Sequence, residues 1–361
     1  MNKLKTIGLS ALAGSMALTS ANAVDYTVSG DAAWSYANET YSNGSSAAAG
    51  GDGIALDTSI YFDASGSLDN GWDVSFGLDF DTETGTVANT SSQSAITMGS
   101  MGTIQINQIG GSATNAIDDV TPSAWEEVYG MGTISTGTQS NPQSVEVGGD
   151  AGFFGSSTSS GSIQYTAPAL ETAGATITAS IVYDPNANAG QTAHLGGNVG
   201  ETGMGYVLKI AHESGLEVGA GLENIESDGH YGATAGRDSK DEESVTAYVK
   251  YSMGPITAAY QESYQDTLDG GKDFEAEMYS VAYTAGDVSV SWGETEVTTK
   301  GLAADGHETT SGDAIAVSYT MGSMTIQAQR SEQSRSTVAT TGGAATTRDL
   351  DETGIKVSFA F

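Results

Sequence analysis

The chain closes on Ile355-Lys356-Val357-Ser358-Phe359-Ala360-Phe361, in which apolar side chains alternate with small or polar ones up to the final aromatic. Successive side chains of a strand point to opposite faces. Ile355, Val357, Phe359 and Phe361 therefore share one face, while Lys356, Ser358 and Ala360 share the other. A strand written this way faces two different solvents.

The same two-faced pattern recurs upstream. Trp72, Val74, Phe76, Leu78 and Phe80 alternate with Asp73, Ser75, Gly77 and Asp79, and Leu216, Val218, Ala220 and Leu222 with Glu217, Gly219, Gly221 and Glu223. Val245, Ala247, Val249 and Tyr251 alternate with Thr246, Tyr248 and Lys250, and Val288, Val290 and Trp292 with Ser289, Ser291 and Gly293. The reading gives roughly sixteen such runs, in the length class of tilted strands that cross a bilayer. They fall near 25–37, 53–64, 71–81, 93–98, 102–108, 161–167, 175–183, 204–212, 215–223, 244–252, 255–264, 274–284, 287–296, 313–320, 324–331 and 352–361.

Tight turns and long loops alternate between these runs. The short connections are Ser65 to Asn70, Gly99-Ser100-Met101, Pro168 to Gly174, His212 to Gly215, Ser252 to Pro255, Thr284 to Asp287 and Met321-Gly322-Ser323. The long ones, rich in Gly, Ser, Thr and Asp, lie near 38–52, 82–92, 109–160, 184–203, 224–243, 265–273, 297–312 and 332–351. This rhythm predicts an up-and-down antiparallel barrel with one short-turn rim and one long-loop rim. A soluble sandwich would bury its apolar face in a core and mix Greek-key connections. Aromatics at the strand ends, among them Trp34, Tyr36, Trp72, Phe80, Tyr251, Tyr283 and Tyr319, stand where membrane-interface girdles belong.

The N-terminus sets the compartment. Residues 1–23 read as a signal peptide: Lys3 and Lys5 form the basic segment, Ile7 to Leu18 the apolar one, and Ala21-Asn22-Ala23 the cleavage box. Residues 24–361 are then expected to form one outer-membrane barrel domain. With 45 acidic and 12 basic residues the net charge is −33, and losing Lys3 and Lys5 takes it to −35. Such a field repels nucleic acid and anionic surfaces. There is no cysteine, so the fold rests on its ladder and on burial rather than on disulfides.

From Val24 to Phe361 the chain resembles the Gram-negative general porins. Glu146-Val147-Gly148-Gly149-Asp150 with Phe153-Phe154 is similar to that family's constriction-loop motif Pro-Glu-Phe-Gly-Gly-Asp, with Val145 and Val147 replacing the proline and phenylalanine. Gly161 to Pro168 is similar to its next strand and turn. The resemblance implies a 16-stranded trimeric barrel with short periplasmic turns, long extracellular loops and a third loop folded inward to narrow the pore. It also implies that Phe361, supported by Phe359, is the signal read by the barrel-assembly machinery. Glu146 is then the first candidate for the acidic side of the constriction, and Asp150 a candidate for holding the loop. One departure stands out: Gly155 to Ser160, where family members place an arginine, holds only Gly, Ser and Thr.

With the apolar face toward lipid, strand parity sends Asp31, Asp57, Asp63, Asp73, Asp79, Glu217 and Glu223 into the lumen, against Lys209, Lys250 and Lys356. The inward loop adds Asp118, Asp119, Glu126, Glu127, Glu146 and Asp150. Carboxylates along a narrow passage attract cations and repel anions. The expectation is a passive diffusion channel for small hydrophilic solutes and ions that prefers cations. A substrate-specific channel is the alternative, as is an adhesin or structural barrel. Glu39, in the expected first long loop, should contribute little. No His-Glu-x-x-His, Gly-x-Ser-x-Gly or Walker phosphate loop occurs, which argues against an enzyme. No cofactor is expected beyond weak Ca²⁺ binding by clustered loop acids such as Asp241, Glu242 and Glu243.

Overall fold

A computed structural model of the protein describes residues 24–43, 46–82, 87–125, 154, 158, 160–185, 187, 202–226, 241–266, 273–302, 306–338 and 346–361. The strands are β1 (Val24–Asn43), β2 (Ser46–Ser67), β3 (Asp73–Asp81), β4 (Ala88–Thr97), β5 (Thr103–Ile109), β6 (Ser162–Thr166), β7 (Leu170–Thr172), β8 (Ala175–Asp184) and β9 (Thr202–His212). They continue as β10 (Leu216–Glu226), β11 (Glu242–Met253), β12 (Ile256–Asp266), β13 (Asp273–Ala285), β14 (Val288–Leu302), β15 (Gly306–Met321), β16 (Met324–Val338) and β17 (Thr346–Ala360). Apart from β6 and β7, consecutive strands pair antiparallel, and β17 returns to β1. Both β6 and β7 pair with β8 and form one stave interrupted at Pro168, so the closed ring has 16 staves. Proline has no N–H to give to a ladder.

The closing seam uses the terminal stretch. Asp31 stands opposite Ala360, and the Gly30 and Phe361 backbones exchange hydrogen bonds of 2.8 and 2.9 Å. A Cβ on Gly30 would lie 3.0 Å from the Phe361 ring and 2.6 Å from the Ser59 carbonyl oxygen, so only glycine fits under that ring. Trp34 meets Phe359 edge to face at 5.3 Å between centroids.

Outward positions are apolar and bare: Trp34 is 59 % exposed, and Leu56, Ile106, Tyr206, Val249 and Val317 are likewise exposed. In water such a band would be a liability, whereas in a bilayer it is buried by lipid. Toward the long-loop rim the outward face changes character. Glu262, Glu277, Glu294, Asp313 and Glu332 point outward there, with Arg330 2.5 Å from Glu332 and Lys300 paired with Glu275. The expectation that every inner face carries the charge and every outer face is apolar is therefore corrected near that rim. The strands outrun the apolar band.

This overrun corrects several expected boundaries. The loop expected at 38–52 is largely strand, with β1 and β2 in register to Asn43 opposite Ser46. The expected loops 297–312 and 332–351 are likewise shortened by β14 to β17. Polar alternation such as Asn38-Glu39-Thr40-Tyr41 reads as loop in sequence, but an adjacent ladder already in register extends through it. The turn expected over Pro168 to Gly174 contracts to Ala173 and Gly174, which have φ of 48° and 78° and carry the chain from β7 to β8. Successive residues of positive φ match the twist of a two-residue hairpin.

Candidate functional site: the lumen and its inward segment

Between β5 and β6 the chain turns into the barrel. Its described outgoing limb, residues 110–125, is laid along the inner wall in the order of the staves. The Ala113 amide donates to Gln164 Oε1 on β6 at 2.7 Å. Thr114 lies over Gly205 of β9, and Ile117 over Gly221 of β10. The Val120 amide donates to Gln261 Oε1 on β12 at 2.9 Å, and Ser280 Oγ on β13 donates to the Pro122 carbonyl at 2.8 Å. The Ala124 amide donates to Ser291 Oγ on β14 at 2.7 Å, while Gln327 Nε2 on β16 donates to the Ala124 carbonyl at 3.1 Å. Trp125 ends the described limb beneath Lys356 of β17, whose Nζ is 4.8 Å from the indole centroid, among Ala37, Ala124 and Ala316.

A small apolar core pins both limbs. Ile117 and the fully buried Phe154 pack with Val207 and Tyr248 inside the lumen, flanked by Ala113 and Val120. Space for them comes from glycine. A Cβ at Gly221 would stand 2.3 Å from Phe154 Cζ and 2.7 Å from Ile117 Cδ1. On the return limb, Thr158 donates from its amide at 2.7 Å and from its hydroxyl at 2.5 Å to Glu223 Oε1.

The expected lumen residues separate into groups. Asp31, Asp57, Asp63, Asp73 and Asp79 all stand on the inner face of β1 to β3. Asp31 accepts from the Tyr61 hydroxyl at 2.5 Å, and Asp73 accepts from Ser67 Oγ at 2.6 Å near the short-turn rim. Beside Asp63 the wall forms a depression of about 260 Å³ lined also by Ser75, Gln93 and Gln105. Across the ring, Glu217 on β10 faces Lys250 on β11 at 3.1 Å and accepts from the Tyr248 hydroxyl at 2.9 Å, with Lys209 of β9 on the same wall.

Two expected roles change. Glu223 does stand on the inner face, but it is 1 % exposed beneath the inward segment and serves as an anchor rather than an open lumen charge. Lys356 lies on the lumen face as expected, but it is half-buried with its ammonium 4.8 Å from the Trp125 ring centroid. The expectation for Glu39 is also corrected. It belongs to β1, is 3 % exposed on the inner face and stands in register with Glu352, so it is no outer-loop charge.

On the inward segment, Asp118 accepts from Asn115 Nδ2 at 3.1 Å and from the Asp119 amide at 2.8 Å. Asp119 accepts from the amide and hydroxyl of Thr121 at 2.7 and 2.6 Å. Burial pushes the Asp119 carboxyl above the ordinary carboxylate range, partly offset by those two hydrogen bonds. Glu126, Glu127, Glu146 and Asp150 lie outside the described residues, as does the expected signal peptide.

An inward third long connection inside a closed ring of 16 staves is the arrangement expected of a channel, and the family comparison agrees: the profile described as Gram-negative porin matches residues 8–361. The chain belongs to the Gram-negative porin family. Among solved structures it is similar to Salmonella typhi OmpF in complex with daunomycin, at 12 % identity and a TM-score of 0.60, covering 93 % of this chain and 97 % of that one. It is also similar to OmpT of Vibrio cholerae, an outer membrane protein. The loop L8 deletion mutant gives 14 % identity and a TM-score of 0.56, covering 95 % of this chain and 100 % of that one. The trimer form gives 14 % identity and a TM-score of 0.53, with the same coverages. No curated protein sequence matches. At these identities the structures show the fold, and the family supplies the rest: this porin is an outer-membrane channel, and its family and fold are not those of an enzyme.

The residues that seat the loop were not found from sequence. Gln164, Gln261, Ser280, Ser291 and Gln327 look like ordinary inward polar positions of their strands. A signal was present in the inward parity of Gly203, Gly205, Gly219 and Gly221, because glycine weakens a strand and marks close approach of another group.

Proposed function

We propose that this porin is a passive diffusion channel for small hydrophilic solutes and ions with a preference for cations. One observation carries the reading. The inner faces of β1 to β3 hold Asp31, Asp57, Asp63, Asp73 and Asp79, and no basic residue occurs anywhere between Lys5 and Lys209. The described outgoing limb runs along the wall from β6 round to Lys356 of β17 and Ala37 of β1, and the reading takes the acidic wall of β1 to β3 as lining the passage. The lumen lysines stand on other staves: Lys209 on β9, Lys250 paired with Glu217, and Lys356 over the Trp125 ring. Low-dielectric walls focus such a field, and charges within about 10 Å of the narrow passage dominate permeation at 0.1 M salt.

Glu146 is proposed as the leading acid of the constriction, with Asp150 holding the loop and Glu126 and Glu127 adding to its charge. The reading further proposes a homotrimer, a leader cleaved after Ala23, an apolar belt against outer-membrane lipid and recognition of Phe361 by the barrel-assembly machinery. Weak Ca²⁺ binding at Asp241, Glu242 and Glu243 belongs to the same set of proposals. The test is the reversal potential of the purified channel in a planar bilayer under a KCl gradient. Cation preference is expected, and anion preference overturns the proposal. Glu146→Gln lowers the preference, whereas Glu332→Gln on the outer face leaves it unchanged.

A further inference from the structure

We propose that Gln261 is a positioning residue that fixes the cation passage on the β1 to β3 side of the lumen by holding the inward segment against the opposite wall. The proposal rests on the diffusion-channel reading above. Gln261 is 0 % exposed at the middle of the seam between wall and segment. Its Nε2 hydrogens are shared among the Ile117 carbonyl at 2.9 Å, the Asp118 carbonyl at 2.8 Å and Thr246 Oγ1 at 2.9 Å. Its Oε1 accepts from the Val120 amide at 2.9 Å. A single side chain thus closes three backbone groups over residues 117–120, the stretch that carries Asp118 and Asp119.

The chemistry at this position is specific. Backbone carbonyls and a backbone amide arrive together, so the wall must offer N–H donors and an acceptor from one side chain. Glutamate keeps the acceptor and loses the donors, methionine keeps the length and loses both, and asparagine falls a methylene short. Along residues 110–125 the polar part of the seam is otherwise built from the hydroxyls and amides of Gln164, Ser280, Ser291 and Gln327, the Glu223 carboxylate serving the return limb at Thr158. Salt and pH therefore act weakly on these contacts, while the two carboxylates they place are what a permeating ion senses.

The groups around Gln261 from each packed element bear on a pH test. Asp118 and Asp119 lie on the segment, and Tyr248 with its partner Glu217 on β11 and β10. Met278 and Ser280 on β13 do not titrate, and Glu262 and Glu277 point to the outer face. Wild type and Tyr260→Phe, an outward control, are recorded at each pH so that the background titration is subtracted.

The experiment is single-channel recording of Gln261→Met and Gln261→Glu in planar bilayers. Gln261→Met is expected to flicker to smaller openings and to lose at least half of the cation-to-anion permeability ratio. Gln261→Glu is expected to flicker at neutral pH and to become quiet on acidification, because a protonated carboxyl again donates to Ile117 or Asp118; Gln261→Met shows no such recovery. Wild-type openings and ratio in Gln261→Met, or a Gln261→Glu channel that behaves alike at both pH values, overturn the proposal. If Gln261→Met does not assemble, the pH response of Gln261→Glu decides. Failure of both to form a heat-stable barrel overturns it too, because the wall ladder does not depend on this side chain. An anion-preferring wild type sinks the cation-preference reading instead, which keeps the two failures apart.

Discussion

Replacing Gly221 with alanine tests whether the inward segment is seated by space as well as by hydrogen bonds. Gly221 has ordinary strand geometry, so alanine meets no backbone penalty there. The new methyl would stand 2.3 Å from Phe154 Cζ, 2.7 Å from Ile117 Cδ1 and 2.8 Å from Phe154 Cε1. Carbon atoms rest at about 3.5–4.0 Å, so the ring must retreat by more than ~1 Å, and both limbs of the segment move with it. Overpacking of this kind costs about 1–3 kcal/mol. If Phe154 leaves its site altogether, a loss of about 1.5–3 kcal/mol of burial replaces that cost. Neither breaks the ladder of the ring, so the barrel should still run as a heat-modifiable band on gels. The segment, pushed toward the passage, should give smaller and noisier single-channel openings. Gly77→Ala on the inner face of β3 is the control, because its Cβ meets only Asp63 Oδ1 at 3.5 Å. Wild-type conductance in Gly221→Ala, with the control unchanged, would refute the packing of Ile117 and Phe154 against β10.

Deleting Phe361 removes both backbone hydrogen bonds to Gly30 and uncovers that glycine, and heat-stable barrel recovered from outer membranes should fall sharply; normal amounts count against the closing role. Glu217→Gln leaves Lys250 without its ion partner. The pair is about one third exposed, so stability measured by thermal unfolding should drop by less than ~1 kcal/mol, while the reversal potential shifts toward anions. Acidification should weaken cation preference in an early step assigned to Asp119. Its raised carboxyl pKa means that the charged form burdens the fold at neutral pH and is relieved as pH falls toward the ordinary carboxylate range. Asp119→Asn should diminish that early step in a series of reversal potentials against pH.

The two-solvent strands, their antiparallel ring and the closure of Phe361 against the first strand are legible in the residues alone. Period-two alternation is a local property, and a ring is the arrangement that leaves no strand edge unpaired in lipid. The same alternation sets the lumen parity of Asp31, Asp57, Asp63, Asp73, Asp79, Glu217 and Lys250. Strand ends were less legible. Glu39 reads as a loop residue in isolation, yet β1 carries it to the inner face opposite Glu352 because neighbouring strands extend the ladder.

Which inner-face groups remain open to the passage emerges with the folded ring. Glu223 and Lys356 share the parity of true lumen charges, but Thr158 covers Glu223 and the ammonium of Lys356 rests on the Trp125 ring. The contacts responsible join residues far apart in the chain: Val120 and Gln261 are separated by 141 positions, and Ala124 and Gln327 by 203. Strand alternation gives each residue a face. Which of those faces a folded-in segment covers depends on closing the whole ring around it, and no local pattern records that.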